Sequence, residues 1–138
     1  MSATTKGGCL CGNYSYQFDR ETVVSCHHCH CTDCQKATGS GKATIIMVPI
    51  DELKSEGKLK TYTVTGSAGR TVTRAFCADC GSQVLSYVAE MPDLRFIKAG
   101  TLEDSSWVTI DSSFWTSSAQ VWSPADPDVL AHDKNPTG

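Results

Sequence analysis

The sequence predicts a mostly β fold of stacked antiparallel sheets, with few or no helices. Three observations favour this class. The 138 residues suit one hydrophobic core, short runs of β-branched and aromatic residues recur along the chain, and glycine-rich or polar segments separate these runs. No internal repeat or linker divides the chain. We therefore expect residues 1–138 to form a single domain whose tail is extended from about residue 123.

The expected strands follow in chain order. Tyr14, Tyr16 and Phe18 alternate with polar residues and predict the first strand. Runs of β-branched and apolar residues predict four more, at residues 42–48, 59–64, 71–76 and 83–88. Only residues 50–54 resemble a helical turn, with Asp51 as its candidate N-cap. The tail has no periodicity, which predicts an extended path over the surface.

Charge and hydropathy narrow the possible classes of function. The net charge is −3 and no segment is dense in Lys and Arg, so neither nucleic acid nor an anionic membrane surface is an expected partner. The longest apolar run, residues 43–50, is too short to span a bilayer. Residues 1–10 do not resemble a secretory signal, so we expect a cytoplasmic protein. Thiols stay reduced there, and eight cysteines then indicate metal ligation or redox chemistry.

The first and last cysteine groups predict a structural zinc site. Cys9 and Cys11 would point to one face if their segment is extended, and Cys77 and Cys80, followed by a glycine, would converge in a turn. Four thiolates complete the tetrahedral shell of structural zinc. A thioredoxin-like redox pair, the alternative for a C-x-x-C motif, needs a βαβ context that the sequence lacks.

Three cysteines within six residues, Cys29, Cys31 and Cys34, predict a second metal site. Three protein ligands and an exchangeable fourth position are typical of catalytic zinc. Such an ion lowers the pKa of a bound thiol and polarises a carbonyl. Cys26 or one of the three nearby histidines would close the site if it supplied a fourth ligand. His30 lies between two ligands and should point away from the metal in an extended segment, so we favour the open site.

Three blocks of the sequence resemble the glutathione-dependent formaldehyde-activating enzyme family, also called the centromere-protein-V/Gfa domain family. These blocks are residues 7–12, 29–40 and 76–81, and they appear in the family's order and at similar separations. The resemblance implies a zinc-stapled β-tent fold with two zinc ions per chain. It assigns the structural zinc to Cys9, Cys11, Cys77 and Cys80, and the catalytic zinc to Cys29, Cys31 and Cys34.

The resemblance also implies a carbon–sulfur lyase with glutathione as co-substrate. Such an enzyme forms or cleaves an S-hydroxymethyl-type adduct of glutathione with formaldehyde or another small electrophile. Glutathione is anionic, so a cation should line the pocket, and Lys36, Lys42 and Arg74 are candidates. Ser40, between two glycines, lies where the backbone could approach a carboxylate. We take Lys36, Ser40 and Arg74 as the expected glutathione-binding residues.

Two other functions are compatible with parts of this pattern. A non-catalytic zinc module that binds a protein partner would have both zinc sites closed by protein ligands. A methionine sulfoxide reductase would need a reactive cysteine late in the chain that binds no metal. Cys80 is the last cysteine and is already assigned to the structural zinc, which disfavours the reductase.

Overall fold

The computed structural model describes residues 3–66 and 69–135. Within these ranges the chain forms eleven strands, one α-helix and four short 3-10 turns. The strands and the helix are β1 (Thr4–Gly8), β2 (Ser15–Asp19), β3 (Ser25–Cys29), α1 (Thr32–Thr38), β4 (Ala43–Pro49), β5 (Lys54–Glu56), β6 (Lys60–Thr65), β7 (Thr71–Phe76), β8 (Gln83–Val88), β9 (Leu94–Lys98), β10 (Ser112–Phe114) and β11 (Leu130–Ala131). The predicted mostly β class with few helices is confirmed.

The strands form two sheets. A small antiparallel sheet has the order β1-β2-β5, and a large sheet has the order β11-β10-β3-β4-β9-β8-β7-β6. Pairs in the large sheet are antiparallel except at one end, where β10 runs parallel to both β3 and β11. A parallel pair needs a crossover connection rather than a tight hairpin. The chain reaches β10 by the long segment that follows β9, which is long enough to let β10 run parallel to β3.

The large sheet separates two apolar cores. Side chains alternate along a strand, so Ile46 and Val48 of β4 face one side while Ile45 and Met47 face the other. The first side packs against the small sheet and forms what we call the first core, which includes Tyr14, Tyr16, Phe18, Ile46, Val48 and Ile97. The other side carries the second core, which includes Cys29, Cys34, Ile45, Met47, Phe96 and Phe114.

The five predicted strands correspond to β2, β4, β6, β7 and β8, with bounds within two residues of those expected. The predicted helical turn is a 3-10 turn at Ile50–Glu52, and the assignment of Asp51 as its N-cap is wrong. Pro49 occupies the capping position and no side chain caps the turn. The turn begins one residue earlier than an Asp51 cap requires, so Asp51 lies inside it.

The tail lies against the end of the large sheet. β11 pairs with β10, and the Trp115 backbone N donates to the Lys134 carbonyl at 3.0 Å. The Trp115 Nε1 donates to Asn135 Oδ1 at 2.8 Å. These contacts place the tail beside the second core. In the described residues no helix has the length and hydropathy needed to cross a membrane.

Candidate metal sites and the adjoining cavity

The first and last cysteine groups meet in space. The Sγ atoms of Cys9, Cys11, Cys77 and Cys80 all lie within 4.8 Å of one another. The Cys11 Sγ is 3.7 Å from the Cys9 Sγ and 3.6 Å from the Cys77 Sγ. Zinc–sulfur bonds of about 2.3 Å in a tetrahedron separate the sulfurs by about 3.8 Å. This group, which we call the four-cysteine cluster, therefore fits a zinc ion.

Both halves of the four-cysteine cluster lie in turns. The Gly12 N donates to the Cys9 carbonyl at 3.1 Å and the Gly81 N to the Cys77 carbonyl at 2.8 Å. Both glycines have a positive φ, +82° and +76°, which a side chain would disfavour. The expectation that Cys9 and Cys11 share one face of an extended segment is wrong. β1 ends at Gly8, and the turn closed by Gly12 brings the two thiols together.

Hydrogen bonds across the four-cysteine cluster join parts of the chain that are distant in sequence. The Leu10 N donates to Ser82 Oγ at 3.0 Å, and Asn13 Nδ2 donates to Asp79 Oδ2 at 2.7 Å. Hydrogen bonds from the side chain and backbone of Ser82 lower the pKa of the Cys80 thiol to about 5. This favours the thiolate, which is the form that binds a metal ion.

The middle group forms a second cluster, which we call the three-cysteine cluster. The Sγ atoms of Cys29, Cys31 and Cys34 lie within 4.8 Å of one another. Cys29 ends β3, Cys31 is the N-cap residue of α1, and Cys34 lies in the first turn of that helix. The Cys31 Sγ accepts a hydrogen bond from the Cys34 N at 3.2 Å. The end of a strand and the start of a helix thus direct three sulfurs to one place.

Helix α1 was not predicted from the sequence. It is only seven residues long and its N-cap is a cysteine, whereas sequence signals for a helix start rely on Ser, Thr, Asp or Asn. Two signals could have found it. Asp33 provides an acidic residue in the first turn, and Gly39 follows the last helical residue with a left-handed φ of 72°.

Cys26 does not belong to the three-cysteine cluster. It lies three residues before Cys29 on the same strand, and an odd spacing places two side chains on opposite faces of a sheet. Cys26 accordingly packs in the first core, whereas Cys29 packs in the second. Burial raises the pKa of the Cys26 thiol to about 11, which keeps it protonated. This geometry leaves the three-cysteine cluster without a fourth sulfur from Cys26.

The neighbouring histidines also lie outside the three-cysteine cluster. His27 Nδ1 is 2.7 Å from Ser112 Oγ, and His28 Nδ1 is 2.9 Å from Thr44 Oγ1. His30 is fully buried, and among the described residues neither of its ring nitrogens has a hydrogen-bond partner. Burial lowers the pKa of His30, which favours the neutral ring. The structure therefore groups none of the three with the cysteine sulfurs.

Two buried cations lie beside the three-cysteine cluster. Arg74 Nη2 is directed at the Cys34 Sγ at 3.8 Å, and Lys98 Nζ donates to Ser86 Oγ at 2.9 Å. The pKa of Cys34 is lowered, chiefly because the two neighbouring thiols donate hydrogen bonds to its thiolate, and further because Lys98 and Arg74 are near. A buried charge needs a partner of opposite sign. Burial lowers the pKa of Lys98 and the nearby Cys34 thiolate opposes that shift, so the thiolate and the two basic side chains stabilise one another's charges.

A cavity of about 470 Å³ opens on the three-cysteine cluster. Its size falls within the range of small-molecule sites. Arg74, Ser86 and Lys98 line it next to the three cysteines. Most of the remaining wall is apolar and comes from the second core, and it includes Ile45, Met47, Val72, Val88, Phe96 and Phe114. The site therefore combines a group of thiols, two cations and an apolar wall.

The structure separates the three residues expected to bind glutathione. Arg74 lines the cavity. Lys36 and Ser40 are exposed, on α1 and the turn after it, and are not among the residues of the cavity wall. Sequence reasoning missed Lys98, because a lone lysine usually lies in solvent. The spacing of Phe96 and Lys98 could have placed both on one face of a strand.

Comparisons with known proteins agree with this arrangement. The model of the family described as glutathione-dependent formaldehyde-activating enzyme matches residues 4–118. A solved protein from Rhodobacter sphaeroides shares the fold with a TM-score of 0.58 and 16% identity, covering 92% of this chain and 98% of the other. No curated protein matches the chain. Because the family match spans most of the sequence and includes both cysteine clusters, the chain belongs to the family of glutathione-dependent formaldehyde-activating enzymes.

Proposed function

We propose that this protein is a zinc-dependent carbon–sulfur lyase that joins glutathione to formaldehyde or another small electrophile and cleaves the same adduct. The observation that carries the proposal is the three-cysteine cluster, which faces a cavity large enough for a thiol substrate. Membership of the family supports glutathione and formaldehyde as the reactants. The four-cysteine cluster would hold a second, structural zinc ion.

The reaction needs no oxidant or reductant. The sulfur of the thiol forms a bond to the carbonyl carbon, the C=O double bond becomes a single bond, and the thiol proton ends on the oxygen. Zinc held by Cys29, Cys31 and Cys34 would supply Lewis acidity and lower the pKa of a thiol bound there. The protein must then hold both reactants together and balance the charge that moves from sulfur to oxygen.

Two basic side chains support the second of these tasks, which is to balance charge. Lys98 and Arg74 line the cavity next to the three-cysteine cluster, and both are buried. Burial lowers the pKa of Lys98 and the Cys34 thiolate opposes that shift, so a thiolate at the cluster favours the charged lysine. A substrate packed against the apolar wall would displace water from the same space, which would strengthen electrostatic interactions inside it. We infer that these cations stabilise the negative charge of the bound thiolate and of the developing alkoxide.

The alternative is a non-catalytic module with both metal sites closed. That function needs a fourth protein ligand at the three-cysteine cluster. Cys26, the nearest additional sulfur in the sequence, lies on the opposite face of β3, in the first core. The position of Cys26 therefore favours the lyase over the closed module.

The experiment compares two serine variants with the wild type, with zinc content and activity as readouts. Cys31→Ser removes a proposed ligand yet keeps a good helix N-cap, because serine caps helices well. We expect two zinc ions per chain in the wild type, one in Cys31→Ser and two in Cys26→Ser. Cys31→Ser should also lose catalysis of S-hydroxymethylglutathione formation, followed by NMR exchange between formaldehyde and the adduct.

Exchange of the fourth ligand provides a second readout. With cobalt in place of zinc, glutathione should change the visible absorption of the wild type and of Cys26→Ser, since a new sulfur would bind the metal. Loss of a metal ion from Cys26→Ser, or a cobalt spectrum that glutathione does not alter, would contradict an open site. Either result would favour the binding module.

A further inference from the structure

We infer that the natural substrates of this site carry an apolar group on the reacting carbon. The cavity suits the glutathione adducts of apolar aldehydes, with chains of about six carbons, better than the adduct of formaldehyde. The inference rests on the proposed function, because it takes the three-cysteine cluster as the place where the substrate sulfur binds. It names the class of electrophile, which the proposed function leaves open.

Apolar side chains surround two of the cysteines of the cluster. Cys29 and Cys34 pack within the second core, together with Phe96 and Phe114. All four of these residues also line the cavity. A substituent on a sulfur bound at the cluster therefore meets apolar side chains. Burial of apolar surface drives binding, and each buried methylene of a ligand can tighten it about fourfold.

The buried basic groups beside the cysteines already have partners. Lys98 donates to Ser86, and Arg74 is directed at the Cys34 sulfur. These groups face one another and the thiols. The apolar wall thus forms a separate part of the cavity, suited to a chain without hydrogen-bonding groups.

Two further charged side chains, Arg70 and Asp33, also line the cavity. Asp33 is exposed and Arg70 is half-buried. Arg70 precedes Arg74 by four residues, which corresponds to about 13 Å along an extended chain. A positive and a negative side chain at the rim suit the ammonium and carboxylate of the γ-glutamyl end of glutathione. The charged end of an adduct can therefore stay at the rim while its apolar end lies inside.

The cavity is much larger than formaldehyde itself. Formaldehyde has two heavy atoms, so it takes about the space of one or two water molecules, each roughly 30 Å³. The cavity measures about 470 Å³. With the charged end of glutathione at the rim, the hydroxymethyl group of a formaldehyde adduct would leave the apolar surface beside the cysteines without a favourable contact, because apolar walls bind water poorly. An apolar chain of several carbons would cover it.

The test measures binding to the zinc-loaded protein by calorimetry, with S-methylglutathione and S-hexylglutathione as probes. The two differ by five methylenes. If half of the transfer free energy is realised, each methylene gives about twofold, and S-hexylglutathione should bind about 30-fold more tightly. Equal affinities would overturn the inference and leave the proposed function intact, provided that both ligands bind.

A matched pair of variants locates the effect. Val72 lines the cavity. Its partner on β6, Val64, is equally half-buried but does not line the cavity. Val72→Thr keeps the shape and adds a hydroxyl to the wall, so the ratio of hexyl to methyl affinity should fall about threefold or more. Val64→Thr should keep the wild-type ratio. An equal fall in both variants would overturn the inference.

1-Hexanethiol separates a failure of the inference from a failure of the proposed function. Both 1-hexanethiol and reduced glutathione have a free thiol, so they can be compared directly. Binding of 1-hexanethiol without binding of reduced glutathione would support the apolar site and overturn the role of glutathione. Binding of neither thiol and of neither glutathione derivative would overturn both.

Discussion

Tyr16 makes stability depend on pH through a single buried hydroxyl. Its Oη lies 2.7 Å from Thr101 Oγ1, and burial raises the pKa of Tyr16 to about 12. The unfolded chain loses this proton near pH 10, before the folded chain does. Tyr16 therefore contributes fully to the free energy of unfolding below pH 10, and this contribution is lost as the pH rises from 10 to 12. The full shift corresponds to about 2–3 kcal/mol.

Tyr16→Phe isolates this contribution. The variant should be about 1 kcal/mol less stable at pH 8, because it loses one hydrogen bond. Thr101 keeps its bond to the Lys98 carbonyl at 2.7 Å. Between pH 10 and pH 11.5 the free energy of unfolding in urea should fall less steeply for the variant than for the wild type. The same slope in both proteins would show that Tyr16 is not the titrating group.

Arg74 is expected to affect the affinity of the three-cysteine cluster for metal without being a ligand. Arg74→Met removes a buried cation that lowers the pKa of Cys34. Thiolates would then form less readily, so metal affinity should fall about 10-fold or more, with a larger loss at pH 6 than at pH 8. Titration with cobalt at both pH values measures this. Arg70→Met, which removes a half-buried cation of the same cavity, should bind cobalt like the wild type.

At the scale of elements, the end of α1 depends on one glycine. Gly39 has a φ of 72°, and a Cβ there would meet no other atom within 4 Å. Gly39→Ala should therefore cost about 1 kcal/mol through backbone strain alone. Gly100 has equally open space and an ordinary φ, so Gly100→Ala should be neutral or slightly stabilising. Urea unfolding of both variants checks the difference, and equal effects would contradict the assignment of strain.

Sequence reasoning found the elements with a strong local pattern. β2, β4, β6, β7 and β8 show alternation or β-branched runs, and the structure has all five. β3 was missed because its residues Ser25–Cys29 are cysteine, histidine and serine, which carry no strand signal. Its strand character comes from pairing with β4 and β10. Long-range pairing of this kind overrides local propensity and is absent from a single sequence.

The candidate site was predictable where spacing alone groups ligands. The C-x-C and C-x-x-C motifs anticipate the two cysteine clusters that the structure forms. The side of β3 on which Cys26 lies was not predictable, because the segment was not recognised as a strand. Arg74 was a candidate because an anionic substrate needs a cation, whereas Lys98 required knowledge of which strands border the cavity.

At the scale of the whole molecule, the two cysteine clusters should contribute unequally to stability. The four-cysteine cluster joins the turn after β1 to the connection between β7 and β8. The three-cysteine cluster joins residues of a single short segment, Cys29 to Cys34. If both hold zinc as proposed, Cys80→Ser should lower the melting temperature by more than about 10 °C, since structural zinc binding is folding free energy. Cys31→Ser should lower it by a few degrees. Equal shifts in calorimetry would contradict this division.

The large sheet has a different core on each face, so substitutions on its two faces should affect stability independently. Ile45 and Ile46 are neighbours in sequence, yet they pack in the second and first core respectively. Coupling free energies arise from shared partners, so Ile45→Val and Ile46→Val should add within about 0.5 kcal/mol in a double-mutant cycle. The side of β4 that faces the cavity could then diversify over evolution with little effect on the side that packs against the small sheet.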